Sequence, residues 1–417
     1  MRNLFVKILF FLLPWQTGYI FYVPMVQGSA LHFGVGAIYA TQVLLIAGVV
    51  AVILREGLPK YPPQSRRIVA LALGIFAVAA LSLARTPDIL SGFSCLWNLI
   101  CAGLLFMFLL DPQTNVEQGL KWFVCGLIPV ALLGVCQVFF GFSPASSWLG
   151  LAAHNAATRG DSVLVFFDHR ILRAYGTFPH PNILGGYLAV GLLAVKQYIP
   201  RKSRAACAAC ILLLGLLVSA SRSAMLGLAL GAFLVWFVTR AKNVAKARIQ
   251  VIPIALGVIG VALALTYATP SFTALSRGGG VTEVWSLQER RLQVTNWWQG
   301  MHGVDWLVGH GLASSGSGSS HPTQPIHNLP LLLIFELGLI GAVVVITWSS
   351  TIDKLNFSRF PHPAALLAFG MGNVVLVILF FDHYLWTLWP GLALIAFVMA
   401  LTVRLGEENG GMLQNKP

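Results

Sequence analysis

Apolar blocks of about 18 or more residues recur along nearly the whole chain, parted by short polar stretches. A block of that length can cross the hydrocarbon core of a bilayer as a helix. The pattern predicts an all-α polytopic membrane protein with about twelve spans. They lie near 4–24, 32–54, 68–84, 93–110, 122–141, 182–199, 205–221, 223–239, 249–268, 328–349, 363–381 and 385–403. Residues 1–417 read as one transmembrane domain, with two long loops: 142–181, and a larger one at 269–327 between spans 9 and 10.

One block needs arithmetic. From Ala205 to Thr239 the only charge is Arg222. At about 1.5 Å per residue, one helix there would reach roughly 52 Å against a core of about 30 Å. The block therefore predicts two helices, with Ser221-Arg222-Ser223 at the turn and Arg222 at a membrane surface.

Charge then assigns the sides. Arg55, Lys60, Arg66 and Arg67 follow span 2, Lys196 to Arg204 follow or end span 6, and Arg240 to Arg248 follow span 8. The positive-inside rule makes these exits and both termini cytoplasmic. All nine lysines then fall inside. The cations on the outside are all arginine: Arg85, Arg159, Arg170, Arg173, Arg222, Arg277, Arg290 and Arg291. Nine of the ten histidines also fall outside or at the outer membrane edge. The chemistry is expected on that face.

Composition agrees with the pattern: 57% of residues are hydrophobic and 10% charged. The net charge of +13 mainly reports orientation, and no basic patch interleaved with aromatics points to nucleic acid. The six cysteines lie within apolar blocks, where they act as small hydrophobes. The N-terminus reads as a retained span, because Gly28 to Ala30 lies too far past the short apolar core to be a cleavage site.

Three polar segments carry candidate chemistry. "RAYGTFPHPNILGGY", Arg173 to Tyr187, enters span 6, with Pro181 suited to a first helical turn. Its Arg173, His180 and Asn182 can meet a polar ligand at headgroup level or simply shape the helix entry. Glu289 to Gly300 reads as an amphipathic helix with Trp297 and Trp298 as membrane anchors, and Gly309 to Ser320 as a polar lid or linker. His327 and Asn328 open span 10, where a helix N-terminus favours neutral, proton-accepting imidazole. Glu336, deeper in that span, needs a partner within the bundle or a direct role. The outer acids, Asp382 among them, are scattered, and no DxD or HExxH motif lies outside. The sequence therefore predicts no metal and no cofactor. Any phosphate must be held by arginine, whose planar fork binds its oxygens bidentately.

"RAYGTFPHPNILGGYLA", "SASRSAMLGLALGAFL", "ERRLQVTNWW" with the later "GHG", and "HNLPLLLIFELGLIG" occur in the order and spacing of the O-antigen ligase superfamily, which the chain resembles. That group also holds O-antigen polymerases and pilin O-oligosaccharyltransferases. The resemblance implies a multi-pass inner-membrane glycosyltransferase with a periplasmic site and no metal. Such an enzyme moves a glycan from undecaprenyl diphosphate to an acceptor hydroxyl with inversion. The first expectation is an O-antigen ligase acting on lipid A-core in lipopolysaccharide biosynthesis. The alternative is a polymerase or protein O-oligosaccharyltransferase using the same donor. The family's functional residues correspond to Arg222, Arg291 and His327, with Arg290 competing for the second place. Arg159, Arg170 and Arg173 would widen the basic surface. A transporter would instead place ionisable groups at mid-membrane, where only Glu336 falls.

Overall fold

The computed structural model describes residues 1–26, 29–31, 33–166, 169–199, 201–268, 281–315, 324–357 and 362–413. In chain order its helices are α1 (Arg2–Leu12), α2 (Ala40–Glu56), α3 (Pro63–Ser82), α4 (Ile89–Leu110), α5 (Val116–Phe140), α6 (Pro181–Tyr198), α7 (Lys202–Ser219) and α8 (Arg222–Arg240). They continue as α9 (Val244–Ala268), α10 (Val281–Gly300), α11 (Asp305–Val308), α12 (Leu329–Phe357), α13 (Pro363–Phe381), α14 (Tyr384–Thr387) and α15 (Trp389–Leu413). Among the described residues, eight helices are long and apolar enough to cross a membrane: α3, α4, α5, α7, α8, α9, α12 and α13. Apolar parts of α6 and α15 are shorter. The chain is a polytopic helical membrane protein.

The first two predicted spans are corrected. Span 4–24 is not one helix: α1 stops at Leu12, and a strand, β1, occupies Gly18–Tyr22. Pro14 offers no N–H and crowds the preceding turn. The run Tyr19-Ile20-Phe21-Tyr22 is aromatic and β-branched, which suits a strand. Short strands β2 (Met25–Val26) and β3 (Ser29–Ala30) pair with each other. Strand β4 (Gly36–Tyr39) pairs with β1, so α2 begins only at Ala40 rather than near 32. The loop 142–181 also departs from all-α. It holds two hairpins, β5 (Phe142–Ser143) with β6 (His154–Asn155), and β7 (Val163–Phe166) with β8 (His169–Leu172). The break at Ala220–Ser221 agrees with the predicted turn: Ala220 closes α7 in the left-handed conformation (φ 52°) and Arg222 is the first residue of α8.

Two compact units emerge, each from interleaved segments. The first comprises Met1–Gly18, Asn115–Glu289 and Phe360–Ile378. Here α5 packs against α1, α6 and α7, and α8 against α6 and α9. Small residues let backbones approach closely: Gly227 and Gly231, one turn apart on α8, face Val374 and Gly370 of α13. A methyl group at Gly231 would stand 2.5 Å from the Gly370 carbonyl oxygen.

The second unit comprises Tyr19–Thr114, Arg290–Arg359 and Leu379–Pro417. Helix α4 packs on α15, α12 on α3 and α15, and α11 on α12. Several of its buried polar groups pair across helices, as a low-dielectric interior favours. Gln42 Nε2 donates to Asn98 (2.8 Å), Trp97 Nε1 donates to Gln42 (3.1 Å), and Trp389 Nε1 donates to Thr41 (3.0 Å).

Helix α12 is broken at Gly338, whose φ of 68° and ψ of −174° lie far from helical values. Only glycine adopts that conformation without strain. The break frees carbonyls one turn earlier, and residues 309–315 fill it. The His310 N–H donates to the Phe335 carbonyl (2.8 Å) and the Gly311 N–H to the Glu336 carbonyl (3.0 Å). The Glu336 side chain, 1% exposed, accepts from Ser315 Oγ (3.1 Å), from Trp386 Nε1 (2.8 Å), and from the N–H groups of Ala313 and Ser315. Its partners are therefore internal, and 309–315 is a docked insertion rather than a linker. Arg85 pairs with Asp305, and Thr86 Oγ1 donates to the Leu312 carbonyl (2.9 Å), fixing the same segment from α3's end.

Candidate functional site

The first unit carries the arginine turn. Ser221 is the N-cap of α8 but makes no side-chain capping bond. The first-turn N–H groups therefore lack the usual hydroxyl acceptor, and such an end attracts anions. Arg222 is exposed at that end. Arg173 supports the turn from behind. It is 6% exposed, donates through Nε to the Ser219 carbonyl at the end of α7 (2.8 Å) and through Nη2 to Asn182 Oδ1 (2.7 Å). That carbonyl is one a helix end leaves unsatisfied. Arg173 and Asn182 thus brace the turn.

His180 has a similar structural duty. Its Nδ1 accepts from the Asn182 N–H (3.2 Å) as the N-cap of α6, which leaves Nε2–H to face Ser162 Oγ (3.2 Å). Arg170 ties the hairpin loop together, donating to the carbonyls of Ala156 (2.6 Å) and Thr158 (2.9 Å). Arg159 is exposed. Of the three arginines expected to widen a basic surface, only Arg159 is left mainly in solvent. Arg277, counted among the outer cations, lies outside the described residues, as do His321 and most of the polar run after Ser315.

The second unit carries the histidine. His327 precedes α12, and Gln293 of α10 holds it twice. Gln293 Oε1 accepts the His327 backbone N–H (3.2 Å) and lies 3.1 Å from its Nδ1. The backbone contact identifies that atom as the amide oxygen, so Nδ1 must be the donor. In the neutral ring Nε2 is then a proton acceptor. Asn328 caps the start of α12 through Oδ1 to the Leu331 N–H (3.1 Å), and its Nδ2 donates to the Phe380 carbonyl (3.2 Å). That second bond ties the His327 segment to the corner after α13.

That corner supplies residues absent from the sequence-based site. One ring nitrogen each of His327 and His383 and a carboxylate oxygen of Asp382 lie within 4.8 Å of one another. The two rings stand edge to face, 5.0 Å between centroids. His383 Nδ1 contacts Thr387 Oγ1 (2.8 Å), whose hydroxyl in turn donates to the His383 carbonyl (3.3 Å). Burial holds His383 below its ordinary pKa of 6.5; Asp382 pulls against it, and the smaller effect of Arg290 adds to the lowering. The outer acids look scattered in sequence, but the fold sets Asp382 beside His327. The donor set could coordinate a cation or bind a polar ligand.

Helix α10 discriminates its two arginines. Arg290, Gln293 and Trp297 recur at three- and four-residue spacing and share a face. Gln293 and Trp297 are buried on it, and Arg290 is half-buried. Arg291 points to the exposed side with Leu292 and Trp298. Trp297 and Trp298 pack on Trp306 (5.6 Å between centroids in each pair), joining α10 to α11.

No curated protein matches the chain in sequence. A family profile described as WcaD colanic acid polymerase matches residues 32–282. Over more than half of its length, then, the sequence carries the pattern of a membrane polysaccharide polymerase, and the chain belongs to the WcaD colanic acid polymerase family.

Proposed function

We propose that the protein is a glycan polymerase. It transfers a glycan from undecaprenyl diphosphate to a sugar hydroxyl of a second lipid-linked glycan. The observation that carries this reading is the family match across residues 32–282, which favours a polymerase over an O-antigen ligase acting on lipid A-core.

The chemistry follows from the side chains. Arg290 of the second unit, beside His327, binds the diphosphate oxygens, and Arg222, at the uncapped N-terminus of α8 in the first unit, is a phosphate-binding group in its own right. Arg290 takes precedence over Arg291 because its charge reaches His383 and it lies on the Gln293 face. The acceptor hydroxyl attacks the anomeric carbon. The bond from that carbon to the diphosphate oxygen breaks, and its electron pair goes to the diphosphate, where guanidinium groups stabilise the growing charge. His327 Nε2 takes the hydroxyl proton. Single displacement inverts the anomeric centre and releases undecaprenyl diphosphate. The site opens on the periplasmic side of the inner membrane, with both termini cytoplasmic.

The test uses purified protein, a lipid-linked glycan as donor, and the same repeat on a soluble fluorescent aglycone as acceptor. The tagged acceptor lacks a diphosphate and cannot itself donate. A ladder of lengthened tagged glycan is expected. Transfer to lipid A-core or to a pilin peptide, with no ladder, overturns the polymerase reading.

A further inference from the structure

We infer that a cavity at the start of α4 is a binding site for one neutral sugar ring of the glycan, separate from the residues that carry out transfer. The identity of the glycan rests on the polymerase reading; the site itself rests on geometry.

The cavity holds about 240 Å³ and lies within the second unit. Tyr22 ends β1, Phe33 and Gly34 precede β4, Asp88 and Ser91 open α4, and Ala313 belongs to the docked insertion. Asp88 falls between two spanning helices, so the cavity sits at a membrane edge rather than in mid-bilayer. Arg222, Arg290 and His327 are not among its lining residues.

Asp88 organises the polar side. Its carboxylate accepts from the Leu90 N–H (3.2 Å), and its Oδ2 accepts from both Tyr22 Oη (2.7 Å) and Ser91 Oγ (2.6 Å). Burial acts to raise its pKa, but the bonds outweigh burial and hold the carboxyl below its ordinary 3.8. An ionised carboxylate only accepts, so both hydroxyls must donate to it. Each then keeps oxygen lone pairs for a donor arriving from the cavity. Gly34 leaves the room: its φ is 68°, and a methyl group there would stand 2.7 Å from Ser91 Oγ. Ala313 is an independent sign. It holds a left-handed φ of 60°, uncommon for a residue with a side chain. Such strain collects at ligand sites, and here the bond from the Ala313 N–H to the Glu336 carboxylate maintains it.

Charge and size select the ligand. Asp88 repels a phosphate. A metal ion would find one carboxylate, already engaged by several donors. An isoprenoid chain has nothing to give the two hydroxyls. A pyranose ring satisfies both sides: its hydroxyls donate to Tyr22 and Ser91, and its C–H faces pack on the apolar rings of Tyr22 and Phe33. The volume falls below the roughly 300–1,000 Å³ of sites for drug-sized ligands, which suits a single ring.

The experiment irradiates purified wild type with the tagged repeat carrying a diazirine on its terminal sugar, and maps the label by mass spectrometry. Label at Tyr22, Phe33 or Ala313 is expected. Its dependence on probe concentration gives the Kd of this site alone. Tyr22→Phe and Ser91→Ala each remove one hydroxyl and should raise that Kd about 3- to 10-fold, as for one lost hydrogen bond. Asp88→Asn, which still caps α4, should raise it as well. Undecaprenyl phosphate, which bears no sugar, should not displace the probe. Label only elsewhere, a Kd unchanged in both hydroxyl variants, or displacement by undecaprenyl phosphate overturns the inference. The mapping uses wild type, so it decides even where a variant misfolds. If label appears at the cavity and no ladder forms with donor, the sugar site stands and the polymerase reading falls. If a ladder forms and the cavity stays unlabelled, the polymerase reading stands and the site falls.

Discussion

Gln293 Oε1 lies within hydrogen-bond reach of both the backbone N–H and the imidazole Nδ1 of His327, at 3.2 and 3.1 Å. One amide oxygen thus sets the position of the residue and the tautomer of its ring. Gln293→Ala should lower kcat by about 10-fold, less than His327→Ala, which removes the base and should cost about 10²–10⁴-fold. The two are compared by initial rates of tagged-glycan extension. Equal losses would mean that Gln293 does more than orient.

The arginines should differ by position. Arg222→Ala and Arg290→Ala should nearly abolish extension while the protein still inserts, and Arg291→Ala should retain most activity. Arg222→Lys should rescue poorly, since a point charge lacks the planar fork. Membrane fractionation together with the extension assay checks both statements. A wild-type rate in Arg290→Ala would return the assignment to Arg291.

Glu336 tests the helix break. Glu336→Ala strands the Trp386 and Ser315 donors and two amide N–H groups in a buried place. The loss should be at least ~3 kcal/mol, summed over several buried donors at about 1–3 kcal/mol each. Glu336→Gln keeps an acceptor of the same shape and should cost less. Unfolding in mixed micelles gives the order of the three proteins. Limited proteolysis should cut near 309–315 first in the alanine variant.

His383 gives a pH dependence with a fixed sign. Its folded pKa lies below 6.5 through burial, with Asp382 opposing and the smaller effect of Arg290 adding to the lowering. As pH falls below about 6.5 the unfolded chain takes up the proton before the folded one does, so stability falls. The decline ends once folded His383 protonates too. His327, Asp382 and Arg290 surround the group, so the comparison is made as a difference: the midpoint of thermal unfolding between pH 7.5 and 5.5 should drop more in wild type than in His383→Gln.

Much of this architecture is legible in the sequence, for stated physical reasons. The Arg222 turn follows from length alone, because Ala205–Thr239 is too long for one crossing. The first span misleads because counting apolar residues does not separate a helix from a strand, and Pro14 with the aromatic run from Tyr19 decides for the strand. His327 is visible as a histidine at a helix start. Asp382, His383 and Gln293 are not, because they come from other helices and only the packing of the second unit brings them to it. Gly309 to Ser320 looks like a lid or linker in composition. What docks its described part, 309–315, is a backbone conformation at Gly338, which no apolar count reports.

The insertion at the Gly338 break has a mechanical consequence. Glu336, just before the break, holds Ser315, while the Gln324 carbonyl accepts from Gln293 Nε2 (3.4 Å). The Gln293 amide thus commits its nitrogen to Gln324 and its oxygen to His327, so a backbone shift at 324 reaches the imidazole through a single side chain.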